Sequence, residues 1–435
     1  MDIKNFKLPP SLVGKVHRGD LFFEKKNSRA GDDFILKNLT HAERITAEDG
    51  AFVLRRICIS FETGKSPEGY SLAGCGHPED LTTDALSALA GAAEWQSDNL
   101  PRLLFLDLET TGLAGGTGTF PFLCGIGFFD NNCFVIEQFF MEDYPQEAFM
   151  LRHLAERIKH ADTIVSFNGK TFDVPLLSTR FINNRMRVNL ELPHIDLLHP
   201  SRRLWKGFLP DCRLETIEQK RFGIRRMRDV ESSLIPMIYF NYVRGHHQER
   251  ILPVFDHNAQ DIATLGALLS FFCRLISGGV YEGLNQPLEL WGLGRLFMKM
   301  SRMEQAASCL CRALDICDDR ALLPHLLFHA GMLYKKMGRY EQALQAWERL
   351  LQTSSTQRII GAIEIAKYYE HQAGNPQRAR EVILQVVHGT SVSDELTSYI
   401  QGFSSGTQME FTPEIEKRLR RLEKKMGLFD DGGVA

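Results

Sequence analysis

The sequence predicts two structural units in series, an α/β unit with a mixed sheet flanked by helices and an all-α unit of helical repeats. Between about residues 100 and 275, apolar segments of strand length alternate with longer helical patterns, as in α/β domains. Further on, small and large residues recur at a period of 36 to 37, which is typical of stacked helix pairs. With 435 residues, 44% of them hydrophobic, the chain can bury more than one core.

The first informative strand runs from Leu103 to Leu106 and leads directly into Asp107 and Glu109. Residues two apart in a strand point to the same side, so these two carboxylates would lie next to each other. Carboxylates so placed repel and resist ionisation unless a divalent cation lies between them. Taken alone, the pair is more typical of two surface acids at a strand end.

The segments around this strand predict a sheet with an antiparallel edge and flanking helices. An Asp-Asn-Asn cluster at 130–132 separates two apolar segments and marks a hairpin turn. The predicted elements are strands over 52–60, 120–129, 133–140 and 163–167 and helices over 80–95, 145–160 and 173–183.

Two further groups of polar residues lie where they could join the acid pair. Asn168 and Asp173 flank a glycine turn between a short β-branched strand and the next helix. His257 and Asp261 are four residues apart in an apolar-periodic helix, so they share a face of that helix. Asp196 either ends a strand and caps the next helix, which we favour, or is an outer acid of the same site.

Three motifs in this order resemble those of the DEDD exonuclease superfamily, which has a ribonuclease H-like fold. Their residues are Asp107 and Glu109, Asn168 and Asp173, and His257 and Asp261. The stretch SFNGKTFDVPLL is similar to the second motif of exonuclease domains in B-family polymerases. Together with LETTGLAGGTGTFPFLCGIG and the C-terminal repeats, the arrangement resembles the bacterial YprB-type ribonuclease H-like proteins. The motifs span roughly residues 100 to 275.

This resemblance implies a two-metal-ion nuclease that removes nucleotides in the 3′-to-5′ direction from single-stranded DNA or RNA ends. Its cofactors would be two divalent cations, Mg²⁺ or Mn²⁺, held by Asp107, Glu109, Asp173 and Asp261. His257 would take the proton of the attacking water, although this spacing more often carries tyrosine in the superfamily. Two alternatives stay open: an interaction protein whose nuclease domain is vestigial, and a structure-specific endonuclease.

The charge distribution indicates where nucleic acid would bind. The formal net charge of −3 does not suggest it, but twelve basic and five acidic residues between Arg180 and Arg228 give that stretch a net charge of +7. Such a stripe can supply phosphate contacts. The expected nucleic-acid contacts are Thr110, Gly112, Asn168, Arg203 and Lys206. Trp205 is expected in the core, and the glycine-rich loop at 114–119 is expected either to approach the terminal nucleotide or to form a tight turn.

The predicted domain organisation has three parts. A leader at 1–98 precedes the ribonuclease H-like exonuclease domain at 99–278, and tetratricopeptide-like repeats with a capping helix occupy 285–429. In the repeats, Gly294 recurs as Gly331, 37 residues later. Arrays of this kind bind partners, so the repeats are a candidate surface for another protein. A chain that ends near residue 280 is expected to fold and to cleave short oligonucleotides.

Apolar runs, the N-terminal residues and the cysteines indicate in which cellular environment the protein is expected. No apolar run approaches the roughly 18 residues of a membrane span, so no membrane association is expected. The polar N-terminus has no apolar signal core. Nine cysteines are scattered without a C-x-x-C pair, and free thiols of this kind favour a cytoplasmic location.

Overall fold

A seven-stranded mixed sheet forms the centre of the first half of the protein. The structure is a computed structural model that describes residues 34–72, 76–91, 99–112, 118–226, 229–278, 283–388 and 408–428. The strands are β1 (Ala42–Ala47), β2 (Gly50–Ser60), β3 (Leu103–Thr110), β4 (Pro121–Asp130), β5 (Cys133–Phe140), β6 (Thr163–Ser166) and β7 (His194–Asp196). Their spatial order is β1-β2-β5-β4-β3-β6-β7. The pairs β3–β6 and β6–β7 are parallel, and the other neighbours are antiparallel.

Helices cover both faces of this sheet. They are α1 (Phe34–Asn38), α2 (Thr83–Ala90), α3 (Glu147–Lys159), α4 (Asp173–Asn183), α5 (Leu198–Trp205), α6 (Leu214–Ile217), α7 (Ile235–Val243) and α8 (Leu252–Gly278). Along β3, Leu103 and Phe105 belong to one hydrophobic core, while Leu104 and Leu106 belong to the core on the opposite face. The strand is therefore buried on both sides, which explains why its sequence is a continuous apolar run.

The predicted fold is confirmed: the hairpin, the helices that flank the sheet and the later helical repeats are all present. β1 and β2 come from the stretch 1–98 that the sequence suggested as a leader, and they extend the same sheet next to β5. The sheet therefore begins well before residue 99. The domain boundaries themselves stay a prediction.

The second half consists of paired antiparallel helices. They are α9 (Pro287–Lys299), α10 (Met303–Asp315), α11 (Leu323–Lys336), α12 (Tyr340–Leu351), α13 (Gln357–His371), α14 (Pro376–His388) and α15 (Gln408–Lys425). Gly331 of α11 lies against the indole of Trp347, where a β-carbon would overlap the ring. This close approach explains why the repeat pattern has a small residue there.

The first repeat helix packs directly on the α/β unit. Gly292 of α9 lies so close to the carbonyl of Leu204 on α5 that a β-carbon would overlap it. The indole Nε1 of Trp205 donates to Glu289 at 3.2 Å, and both helices contribute to one hydrophobic core with α8. Trp205 is fully buried, as predicted. A chain ending near residue 280 would expose this surface, so the expectation that it folds unaided conflicts with the packing.

Two expectations about composition need correction. Cys58 of β2 and Cys133 of β5 form a disulfide with their Cα atoms 5.9 Å apart. The sequence could not show this pairing because 75 residues separate the two cysteines.

The second correction concerns apolar segments. One helical stretch of the described chain, Gln248–Gly278, has the length and apolarity of a membrane span. Because 78% of its most apolar window is buried inside the protein, it serves as the central helix of the core.

The contact between α5 and α9 generates the first prediction. Gly292→Ala should destabilise the protein by about 1–3 kcal/mol, because the added methyl group would overlap a backbone carbonyl that cannot move independently. Denaturant unfolding measures the change. Gly294→Ala on the same helix is the matched control, since its nearest contact, the carbonyl of Ala306, would be 3.3 Å from the new carbon. Equal stability of the two variants would contradict the tight α5–α9 contact.

Candidate functional site

The first predicted motif lies at the end of the central strand β3. Asp107 pairs with Gly125 of β4 across the antiparallel ladder, and Glu109 pairs with Leu123. Burial raises the pKa of Asp107 to about 7, and the charge of Asp261 adds to this effect. Burial, followed by the charge of Asp107, also raises the pKa of Glu109 well above its usual value. The two side chains thus lie close enough to hinder each other's ionisation.

The second motif joins them because β6 runs parallel to β3. Parallel neighbours end at the same edge of a sheet, so the loop after β6 and the start of α4 lie beside Glu109. Asp173 is the first residue of α4. Its pKa is raised well above the usual value by burial and by the charges of Asp107 and Asp196. Asp173 therefore shares the electrostatic environment of the β3 acids.

The third motif is presented by α8, which packs across β3, β4 and β5. Nε2 of His257 lies 3.5 Å from the Asp261 carboxylate and 3.8 Å from that of Glu109. The structure therefore brings together all five predicted catalytic side chains. They are Asp107, Glu109, Asp173, His257 and Asp261.

The donor set of this cluster fits hard divalent cations. Four carboxylates converge, and three of them have raised pKa values because they are desolvated and close to one another. Oxygen ligands of this kind suit Mg²⁺ or Mn²⁺, whose charge would relieve the repulsion. Within the described residues no three side chains already surround one cation position. One of the four carboxylates, that of Asp261, also contacts an arginine.

That arginine, Arg226, is the main site residue that sequence reasoning missed. Its side chain is only 8% exposed, and its guanidinium contacts Asp261 and donates to both oxygens of Glu218 at 2.7 and 2.6 Å. Glu218 is fully buried and also accepts from the Thr264 hydroxyl at 2.5 Å. Arg226 lies in an irregular segment 35 residues before Asp261, so no local pattern marks it.

His257 is held by carboxylates on both of its nitrogens. Its Nδ1 lies 2.6 Å from Asp229, so that nitrogen carries the proton, and Arg226 at 3.1 Å from the same nitrogen is a like-charged neighbour. Burial alone would lower the pKa of His257, but Asp261, Asp229 and Glu109 outweigh it and raise the pKa to about 10.

A second missed residue, Asn258, holds Asp107 in place. Its amide nitrogen donates to the Asp107 carboxylate at 2.8 Å and to the Asp107 carbonyl at 3.2 Å. Gln138 of β5 donates to the Asn258 oxygen at 2.9 Å, which determines which way the amide faces. A β-carbon on Gly125 would overlap that oxygen. The glycine inside strand β4 was the available sequence signal, because such glycines often mark a close approach.

A cleft of about 880 Å³ adjoins this cluster, and His257 and Asp261 are among its lining residues. Phe167, Asn168, Arg202 and Arg213 line the same cleft. The cleft therefore contains both a carboxylate of the cluster and positive charge.

Asn168 adopts a left-handed backbone conformation with a φ of 69°. Asp196 stabilises this turn by accepting from the backbone NH groups of Asn168 at 2.8 Å and Lys170 at 3.2 Å. It also accepts from the NH of Leu198 at 3.1 Å, at the start of α5. The favoured interpretation, a strand end that caps the next helix, agrees with the structure. Asp196 shapes the second motif loop in addition.

The other predicted nucleic-acid contacts lie apart from this cleft. Thr110 donates to the carbonyl of Gly112 at 2.8 Å and forms a tight turn after β3. Arg203 faces α9, where its carbonyl accepts from Arg295 at 2.9 Å. Lys206 is exposed at the end of α5. The glycine-rich loop lies mostly outside the described residues, since 113–117 are not included.

The basic residues between Arg180 and Arg228 do not form one continuous surface in the folded protein, because some of them pair with acids in the interior. Arg180 pairs with Glu147, Arg221 with Glu289 and Arg226 with Glu218 and Asp261. These three arginines stabilise the interior and are not available to phosphates. Net charge along the sequence therefore overestimated the positive surface near the cleft.

Comparison with known proteins agrees with this fold. Residues 104–272 match the model of the RNase H superfamily, and residues 324–356 match the tetratricopeptide repeat. The chain is 28% identical over 353 residues to the uncharacterized protein YprB of Bacillus subtilis (strain 168), a match that covers 80% of both proteins.

Among solved structures, the family B DNA polymerase from the hyperthermophilic archaeon Pyrobaculum calidifontis matches with a TM-score of 0.31 and 10% identity. The match covers 62% of this chain and 49% of the polymerase, about half of its length. On the family matches, residues 104–272 of this protein form a domain of the RNase H superfamily, and a tetratricopeptide repeat follows at 324–356.

Proposed function

We propose that the protein is a divalent-cation-dependent nuclease that removes nucleotides in the 3′-to-5′ direction from single-stranded ends. The observation that carries this proposal is the convergence of Asp107, Glu109, Asp173 and Asp261 from three separate elements, next to a cleft that Asp261 lines. Burying like charges together is costly, so the cluster supports a catalytic role over a vestigial one. The order and spacing of the motifs support the exonuclease assignment.

Each carboxylate has a defined task in this proposal. The four acids would hold two Mg²⁺ or Mn²⁺ ions, which when bound supply activation of water and stabilisation of the leaving 3′ oxygen. Asn258 keeps the Asp107 carboxylate oriented through its 2.8 Å hydrogen bond. Arg226 contacts Asp261 and is itself held by the buried Glu218.

His257 is the group that would accept the proton of the attacking water. Its Nδ1 is anchored to Asp229, which leaves Nε2 directed at Glu109 and Asp261. A general base must face the reacting water with an unprotonated nitrogen. Nε2 has the required orientation, and cations bound by Glu109 and Asp261 would offset the negative charges that raise the pKa of His257.

The cleft walls support an unpaired strand as substrate. Phe167 offers an aromatic face beside Asn168, and unstacked bases bind to such faces with little dependence on sequence. Arg202 and Arg213 lie along the same cleft and are placed to contact the phosphates.

Hydrolysis of labelled oligonucleotides tests the proposed function. Full-length protein with Mg²⁺ or Mn²⁺ is incubated with single-stranded DNA and RNA labelled at the 5′ end, with free or blocked 3′ ends. We expect a ladder of products shortened from the 3′ end and no reaction on the blocked substrates. Internal cuts on blocked substrates would instead indicate an endonuclease. No cleavage of any substrate would favour the interaction protein.

Asp107→Asn should lower the hydrolysis rate by about 10³-fold or more, because the cations would lose several kcal/mol of their contribution to the transition state. Excess chelator should have the same effect on the wild type. Oligonucleotide binding should survive, since the variant removes negative charge. Asp162→Asn is the control, because Asp162 is an exposed acid paired with Arg102. Wild-type turnover by Asp107→Asn would reject the assignment.

His257→Ala should lower kcat by about 10² to 10⁴, the usual contribution of a placed general base, while cation binding persists. His257→Tyr is the informative companion, because the related motif more often carries tyrosine at this spacing. If tyrosine restores near-normal kcat, the position orients water and does not carry its proton. An alanine variant as active as wild type would show that this histidine has no role in the chemistry.

Arg226→Gln should destabilise the protein by about 3–5 kcal/mol, because Glu218 would remain buried without a partner charge. The double variant Glu218→Gln/Arg226→Gln should recover most of that stability, since both charges are removed together. Both variants should still have a reduced kcat, because Asp261 has lost the group that holds it. A stable and fully active double variant would show that Arg226 serves folding alone.

A further inference from the structure

The junction between α5 and the repeats contains an arginine without a carboxylate partner. The most buried arginines in the part of the chain that the structure describes each have at least one acid beside them. These are Arg55, Arg180, Arg221, Arg226 and Arg418. Arg295 of α9 differs from them. It is half-buried, its terminal nitrogen donates to the carbonyl of Arg203 at 2.9 Å, and its Nε is buried without a partner.

Further basic groups surround this arginine. The Arg295 guanidinium lies 5.8 Å from the ring centre of Trp291, and the centre of the His329 ring lies 4.7 Å from that of the same indole. The rings of His325 and His329 are 4.4 Å apart. Arg203 belongs to the neighbouring helix α5. The cluster of Arg203, Arg295, His325 and His329 is called the junction cluster below.

The pKa shifts of these groups agree with a partly desolvated site that contains positive charge. Burial, followed by the charge of Arg203, lowers the pKa of Arg295. Burial, followed by the charges of His325 and Arg295, lowers the pKa of His329 to about 4. None of these shifts has a carboxylate among its causes. A half-buried cationic group without a counter-charge costs free energy, which a bound anion would offset.

The junction cluster adjoins the candidate active site through α5. Arg202 lines the cleft next to the carboxylates, and Arg203 is the next residue of the same helix. Lys206 is exposed at the end of α5. The helix α5 therefore has one cationic side chain at the cleft, that of Arg202, and another near the contact with α9, that of Arg203.

We infer that the junction cluster is a phosphate-binding site for the part of a single strand that extends out of the cleft. The ligand is the sugar–phosphate backbone, because Arg203 and Arg295 offer cationic nitrogen donors, and contacts of this kind to phosphates carry no sequence information. The inference rests on the proposed function, since it places this strand relative to the nuclease cleft. It gives the repeat unit a direct part in holding the substrate.

Binding of oligo-dT to the full-length protein tests this inference. Fluorescence anisotropy is measured with chelator present across a range of salt concentrations, using chains of about 5 and about 20 nucleotides, which bracket the usual site sizes of single-strand binding. The variants are Arg203→Gln, Arg295→Gln and the double variant. The control pair Lys417→Gln/Arg420→Gln removes two exposed charges from α15, at the far end of the array.

The double variant should bind the long chain roughly tenfold more weakly at low salt. Its slope of log affinity against log salt should fall by about 1.4, because each phosphate contact on a single strand contributes about 0.7. Binding of the short chain should change little. Arg203→Lys/Arg295→Lys should retain the wild-type slope, and so should the control pair. The single variant Arg203→Gln removes one cationic side chain of the site but keeps the hydrogen bond from Arg295 to the main-chain carbonyl of residue 203. It therefore tests phosphate binding with that structural bond intact.

An unchanged slope for the long chain in the double variant would overturn the inference, as would equal losses for short and long chains. Wild-type protein that binds no oligonucleotide would overturn it too. The proposed function is tested separately. Protein that binds the long chain through the junction cluster but cleaves no substrate contradicts the nuclease proposal and leaves this site intact.

Discussion

Several carboxylates are held close together at the end of β3, in surroundings that water hardly reaches, and the rest of the site responds to their repulsion. Burial together with the nearby charges raises the pKa values of Asp107, Glu109 and Asp173. The protein offsets part of this cost with an amide on Asp107 and a guanidinium on Asp261. Such compensation would be unnecessary if the acids were spread over the surface. The arrangement keeps the carboxylates together without neutralising all of them, and it leaves a place where divalent cations are favoured.

The helix α8 makes this arrangement mechanically possible. It lies across three strands of the sheet and supplies His257, Asn258 and Asp261 from a single stretch of the helix. Its close approach to the sheet depends on glycines: a β-carbon on Gly125 would overlap Asn258, and one on Gly127 would overlap Ile262. The same close approach of α8 to the sheet therefore packs the core and orients the acids. A change that lifts α8 from the sheet would disturb the site and the core together.

The motif acids could be predicted from sequence because each motif is local and its spacing matches one regular element. Asp107 and Glu109 share a strand face, and His257 and Asp261 share a helix face. Arg226 could not be predicted, since it reaches Asp261 from an irregular segment and its bracing acid, Glu218, lies in a short π-helical turn. Charge counting likewise could not separate arginines that pair inside the protein from those that line the cleft. Those distinctions depend on tertiary contacts between residues far apart in the chain.

The contact between α5 and α9 changes how the two halves of the protein relate. Trp205 donates to Glu289, and the main chain of Leu204 fits against Gly292, so the first repeat helix completes the core of the α/β unit. A repeat array joined only by a linker could move freely relative to the cleft. Here the shared core holds the array at a set position, and α5 contributes cationic groups on both sides of the contact. Any ligand held at the start of the array would therefore lie at a constant distance from the carboxylates, which is the condition for a binding surface to position a substrate for the site.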